Sequence, residues 1–154
     1  MPDTKYSGHN ETLRGGGFHH IALRAFDFDA TLKFYIEGLG FKTAHTWGAD
    51  GRENGEKDTR AAMLDTGDGN YLEVFAGREG DPSAALPEGA LIHFALRTND
   101  VEASLERARS LGANVTMEPK KVFPPNAPRP LEFHIAFVTG PNGEVIEFFH
   151  NADL

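Results

Sequence analysis

Apolar residues alternate with polar ones in eight short stretches, at residues 18–25, 41–47, 59–65, 70–76, 90–97, 113–118, 132–138 and 144–150. A period of two marks a strand with one buried face. Two intervening stretches carry apolar residues every three to four positions, which marks a helix. The first places Phe28, Leu32, Tyr35 and Leu39 on one face, with Asp27 or Asp29 available as N-cap and Gly38 and Gly40 to end it. The second places Val101, Leu105, Ala108 and Leu111 on one face, with Asn99 or Asp100 as cap and Gly112 as terminator. Thr66-Gly-Asp-Gly-Asn70 and Pro141-Asn142-Gly143 read as hairpin turns. Pro119 to Pro130 holds five prolines and reads as an irregular loop, long enough to act as a lid.

The pattern occurs twice. His20-Ile-Ala-Leu-Arg24 returns as His93-Phe-Ala-Leu-Arg97, an offset of 93 − 20 = 73. Tyr71-Leu-Glu-Val-Phe75 returns as Val145-Ile-Glu-Phe-Phe149, an offset of 147 − 73 = 74. Each half therefore reads strand, helix, three strands, an α+β arrangement in two tandem modules. The expected division is a flexible N-terminal arm over 1–16, modules over 17–78 and 89–150, and a Pro- and Gly-bearing linker over 79–88.

Composition narrows the function. A net charge of −8 argues against a broad nucleic-acid-binding face. No apolar run is long enough to span a bilayer, and the first residues lack the apolar stretch of a secretory signal. Cysteine is absent, which excludes disulfides and thiolate metal sites and fits a cytoplasmic setting.

Strand alternation singles out four residues. His20 shares a face with Ala22 and Arg24, opposite Ile21 and Leu23. Glu73 lies opposite Leu72 and Val74, His93 opposite Phe94 and Leu96, and Glu147 opposite Ile146 and Phe148. A carboxylate in the middle of an apolar strand is costly to bury without a partner. Two imidazoles and two carboxylates, related by the repeat, solve this by sharing one divalent cation. With no thiol among the ligands, Zn²⁺ or Ni²⁺ comes first, and Fe²⁺, Co²⁺ and Mn²⁺ are further candidates.

Three segments carry a family resemblance: Phe18-His-His-Ile-Ala-Leu-Arg24, Phe34-Tyr35 followed by Gly38-Leu-Gly-Phe41, and Gly140-Pro-Asn-Gly-Glu-Val-Ile-Glu147. Together they resemble the vicinal oxygen chelate superfamily, which includes glyoxalase I, extradiol dioxygenases, epimerases and antibiotic resistance proteins. The resemblance implies paired βαβββ modules forming a curled mixed sheet around a metal pocket. The set His20, Glu73, His93, Glu147 is most similar to that of glyoxalase I. It implies a metal-dependent lyase acting on a hemithioacetal or other α-hydroxycarbonyl compound through an enediolate, with Glu147 and Glu73 as the proton-moving carboxylates. Arg24 matches an arginine that contacts the glutathione carboxylate, whereas Gly77 and Gly89 stand where that family carries asparagine and arginine. The alternatives are an iron-dependent extradiol dioxygenase or epimerase on the same scaffold, and a metal-free protein that sequesters a small apolar ligand. The resemblance also implies a homodimer whose sites combine His20 and Glu73 of one chain with His93 and Glu147 of the other. The stretch of about 11 residues between Gly77 and Gly89 can extend to about 35–40 Å, which permits this.

Arg24, Phe75 and Phe137 are the candidates for contacting substrate, and Phe123 and Phe149 could extend the apolar wall. His45 and Trp47 share a strand face that could line the pocket. His19 is expected to point away from His20 and to pack or lie at an edge, and His150 to lie at the surface. The side taken by His134 is open. Arg97 mirrors Arg24, and Lys120-Lys121 reads as a solvated pair.

Overall fold

The computed structural model describes residues 9–84 and 86–153. Residues 1–8, half of the expected arm, lie outside the described residues; residues 10–15 form a turn closed by an Asn10–Gly15 bridge. The eight strands and two helices follow in the expected order. They are β1 (His20–Arg24), α1 (Phe28–Lys33), β2 (Lys42–Trp47), β3 (Ala61–Asp65), β4 (Tyr71–Phe75), β5 (Phe94–Arg97), α2 (Val101–Ser110), β6 (Asn114–Val122), β7 (Phe133–Thr139) and β8 (Val145–His150). No helix among the described residues is long and apolar enough to cross a membrane.

The caps are Asp27 and Asp100, whose carboxylates accept the N–H groups of Ala30 and Ala103. α1 departs from the simple 3.6-residue stripe. It widens into a π-helical turn over Phe34–Gly38, so the buried face runs through Phe28, Thr31, Phe34, Tyr35 and Gly38. Leu32 and Leu39, expected on that face, are only half-buried. The Pro-rich stretch also differs from expectation, because β6 continues through Pro119 to Val122. Register shifts between Met117 and Lys120, where β6 pairs with β7 at the sheet edge. Proline has no N–H to give a ladder and is tolerated at such an edge bulge. His93 lies one residue ahead of β5 rather than inside it.

Each module folds its strands into one four-stranded sheet, ordered β1-β4-β3-β2 and β5-β8-β7-β6. The first and last strands of each module run parallel, and the others antiparallel. A parallel return needs a crossover, which α1 and α2 provide. One face of each sheet packs under the helices through Leu64, Leu72 and Val74, and through Val138, Ile146 and Phe148. These residues join Phe34, Tyr35, Val101 and Leu105 in a single core continuous across both modules.

A buried polar clamp joins the modules at the turn between β7 and β8. Asn142, 3% exposed, accepts the Phe26 N–H at 2.8 Å and donates to Thr31 Oγ1 at 3.0 Å. Its carbonyl accepts from Arg78 at 2.8 Å. Tyr35 donates its hydroxyl to Glu144 at 2.7 Å, and the Asn142 N–H donates to the other Glu144 oxygen at 2.7 Å. Burial, and then the neighbouring carboxylate, hold the Tyr35 phenol well above its usual pKa, so it remains a donor. Burial raises the Glu144 pKa, against the lowering effect of its hydrogen bonds. Nearby, Gly38 sits so close to Leu111 of the second module that a Cβ would come within 3.3 Å. Arg107 caps the same helix end by donating to the Gly38 and Glu37 carbonyls.

Two outcomes follow from the clamp. Asn142→Ala keeps the carbonyl that Arg78 uses but strands the Phe26 N–H and removes the bond to Thr31 Oγ1, and should lower unfolding free energy by about 2 kcal/mol in urea titrations. Because folding raises the Glu144 pKa, its favourable contribution is complete below the ordinary carboxylate range and is lost as pH rises through the raised value. Glu144→Gln cannot ionise. Its stability relative to wild type should therefore climb as pH rises above the ordinary carboxylate range, and a pH-independent difference would refute the assignment.

Candidate metal centre

The faces turned away from the helices carry the candidate residues. In the first module Ala22 is in register with Glu73, which pairs with Met63, which pairs with His45. The next row holds Arg24, Phe75, Ala61 and Trp47. In the second module Ala95, Glu147, Phe137 and Met117 form the matching row, followed by Arg97, Phe149, Ile135 and Lys120. His20 and His93 each stand one pleat before an alanine. The missing bulk at Ala22 and Ala95 leaves each histidine a diagonal path to the glutamate on the neighbouring parallel strand.

The structure brings the four expected ligands together as two pairs. His20 Nε2 lies 3.8 Å from Glu73 Oε2, and His93 Nε2 lies 2.9 Å from Glu147 Oε2. Among the described residues no three His, Asp or Glu side chains come within reach of a single ion. Ligands about 2.0–2.2 Å from a metal stand roughly 3–3.5 Å from each other, and the two pairs lie just either side of that range. Both glutamates are largely covered, and Glu147 is 9% exposed. Burial raises the proton affinity of Glu147, while the His93 charge and hydrogen bond oppose that shift.

The surroundings are apolar and aromatic. Phe137 meets the His93 ring edge-on at 5.2 Å, and Trp47 meets Phe75 edge-on at 6.2 Å. Arg24 lies over the Phe75 ring at 5.4 Å and donates to the Ala76 carbonyl at 2.9 Å. Trp47 remains 44% exposed. Arg97 does not copy Arg24; it reaches across to Asp68 of the first module at 3.6 Å.

Other candidates fall elsewhere. His134 turns to the helix side and meets Glu102 of α2 at 3.0 Å. His150, expected at the surface, is half-buried with Nδ1 3.1 Å from the Thr98 carbonyl. His19 does not turn its back on His20: their Nδ1 atoms are 3.0 Å apart. Phe123 is exposed, Phe149 packs against Phe133, and Lys121 pairs with Glu132 at 2.8 Å. A cleft of about 710 Å³ between the modules is lined on their helix sides by Ile21, Leu72, Leu96 and Phe148. It touches His20 but none of Glu73, His93 and Glu147, so it is not the ligand face.

Sequence reasoning overlooked Met63, which pairs directly with Glu73, and Met117, which reaches the row of Glu147 beyond Phe137 through a bulged register. It also overlooked the clamp, although Pro141-Asn-Gly-Glu144 was visible as a turn.

Residues 17–148 match the family model described as the Glyoxalase/Bleomycin resistance protein/Dioxygenase superfamily. The chain is 30% identical over 145 residues to a protein of Vibrio parahaemolyticus named probable lactoylglutathione lyase, covering 90% of this chain and 94% of that one. It is 32% identical over 132 residues to Lactoylglutathione lyase GLX1 of Arabidopsis thaliana, covering 84% of this chain but only 42% of that longer protein. The crystal structure of a glyoxalase family protein from Enterococcus faecalis superposes with a TM-score of 0.63 at 21% identity, over 87% of this chain and 97% of that one. The doubled His/Glu strands and these likenesses agree, and the chain belongs to the glyoxalase/bleomycin resistance protein/dioxygenase superfamily.

Proposed function

We propose that this protein is a metal-dependent isomerising lyase of the glyoxalase I type, acting on a small hemithioacetal or related α-hydroxycarbonyl compound. The observation that carries this reading is the pair of matched His/Glu couples, His20 with Glu73 at 3.8 Å and His93 with Glu147 at 2.9 Å, either side of the roughly 3–3.5 Å that two ligands of one metal keep. The lyase names of relatives at about this identity support the reaction class. Because one chain holds its couples apart, the reading includes a homodimer in which each site takes one couple from each chain.

A divalent ion held by these four side chains would supply a fixed positive charge opposite the oxygens that become negative during proton transfer. The protein's own groups do the rest. Glu147 takes a proton from the carbon beside the carbonyl and returns it to the neighbouring carbon. Burial raises its proton affinity, and a bound cation would oppose that rise. Glu73, on the matching strand, is placed to do the same from the other side. Arg24, braced by Phe75 and the Ala76 carbonyl, offers a guanidinium to a substrate carboxylate. Phe75, Phe137 and Trp47 provide apolar walls that keep water from the reacting carbons.

Loaded with Ni²⁺ or Zn²⁺, the protein should form lactoylglutathione from the hemithioacetal of methylglyoxal and glutathione, followed by thioester absorbance. Absence of product with every metal would reject the substrate reading. Glu147→Gln should lose roughly 10²–10⁴-fold in turnover while keeping its circular dichroism spectrum. A Glu147→Gln protein of unchanged turnover would remove that residue from the mechanism.

The shared-site arrangement has its own test. Inactive His20→Ala and His93→Ala proteins are mixed under conditions of subunit exchange. If sites form between chains, each heterodimer carries one doubly damaged site and one intact site, so partial activity returns. If both couples of a site come from one chain, a confirmed heterodimer stays silent.

A further inference from the structure

The two couples are not chemically equivalent, and the difference begins one residue upstream of each histidine. Position 19 is histidine, whereas the matching position in the second module is Ile92. His19 is held in place on both sides. Its carbonyl accepts the Tyr71 N–H at 2.8 Å, and its ring lies 5.1 Å from the Tyr71 ring. From there its Nδ1 stands 3.0 Å from the Nδ1 of His20, with the rings at 88° to each other. Two neutral imidazoles at that distance share one hydrogen, so one ring donates and the other accepts.

On the far side of His20, Nε2 is 3.8 Å from Glu73, too long for a hydrogen bond. The 3.0 Å contact on Nδ1 therefore meets no equal competitor for the ring proton. His19 is exposed, so its own Nε2–H can be given to water while Nδ1 accepts. The second module is set the other way round. His93 Nε2 lies 2.9 Å from Glu147, and among the described residues the only ring against it is the edge of Phe137.

We infer that His19 is a positioning residue for His20: it accepts the Nδ1–H of His20 and leaves Nε2, the nitrogen facing Glu73, without a proton. This rests on the metal reading for its purpose, because a metal-ligating imidazole must present a bare nitrogen and its other N–H is fixed by an outer partner. The first half of the site is then ready for a cation before one arrives. The second half, with its His93–Glu147 hydrogen bond, has to give up a proton from Nε2.

The test reads ring protonation and metal affinity separately. In the ¹⁵N-labelled full chain, stripped of metal at pH 8, long-range ¹H–¹⁵N correlations report which nitrogen of His20 carries the hydrogen. Wild type should show Nδ1–H. His19→Phe keeps a ring on Tyr71 but offers no acceptor, and should move the hydrogen to Nε2. His19→Asn places an amide oxygen near the lost Nδ1 and should restore the wild-type pattern. Zn²⁺ affinity, measured against a chromophoric chelator, should fall about tenfold or more in His19→Phe and stay within about threefold of wild type in His19→Asn. Nε2–H on wild-type His20, or a His19→Phe protein with an unchanged tautomer, would overturn the inference. A wild type that takes up no Zn²⁺ would instead defeat the metal reading, and the ring-nitrogen result would still decide the role of His19.

Discussion

Everything at the candidate centre depends on the parallel pairing of each module's first and last strands. In an antiparallel meander, neighbouring strands come from neighbouring sequence. Here residues more than fifty positions apart, such as Ala22 and Glu73, are brought side by side because a helix carries the chain back over the sheet. The same register recurs as Ala95 beside Glu147. Alanine in that place matters as much as the pairing. A larger residue would fill the space between the glutamate and the histidine one pleat away, and the carboxylate would be buried with nothing to offset its lost hydration.

The fold was legible because duplication doubles every signal. A lone His or Glu in an apolar strand says little, but two copies at offsets of 73 and 74 fix both the module order and the shared faces. Asp27 and Asp100 were readable as caps because the capping bond is local in sequence. What was illegible depends on contacts between distant segments. The π-helical turn at Phe34–Gly38 follows from the fit of Tyr35 to Glu144 and of Gly38 to Leu111. Pro119 reads as a strand breaker until β6 is known to lie at a sheet edge with a bulge. His134 follows the alternation of β7 onto the helix side with Ala136 and Val138, so its side was legible once that strand's core face was fixed, whereas its partner Glu102 was not.

The clamp at Asn142 shows how a turn acquires a second role. Pro141-Asn-Gly-Glu closes the last hairpin, and Gly143 adopts a positive φ of 81° that favours glycine there. Once the hairpin exists, its tip offers an amide, a carboxylate and a carbonyl to the first module's Phe26, Thr31, Tyr35 and Arg78. Such a network is directional where an apolar contact is not. It fixes one orientation of module on module, and so sets the direction in which each couple's open face looks. The interface and the centre are thus linked through β8, which begins beside Glu144 and carries Glu147 one strand pleat further on.

The spacing within each half makes the same point about register. From His20 to Glu73 is 73 − 20 = 53 residues, and from His93 to Glu147 is 147 − 93 = 54. One additional residue inside a paired strand would turn every following side chain to the opposite face. The pairing of Ala22 with Glu73 and of Ala95 with Glu147 is nevertheless the same. The difference is absorbed where register is free to change. β2 ends after six residues and a loop with a short 3₁₀ turn follows, whereas β6 runs for nine and takes up its irregularity in bulges. The architecture therefore tolerates change unevenly. Loops and edge strands can lengthen, shorten or accept prolines, while the strands that carry His and Glu can change only by substitution. Substitution is what separates the two halves, with histidine before one ligand strand and isoleucine before the other. The repeat keeps the two His/Glu couples in matching places while the residues beside them differ.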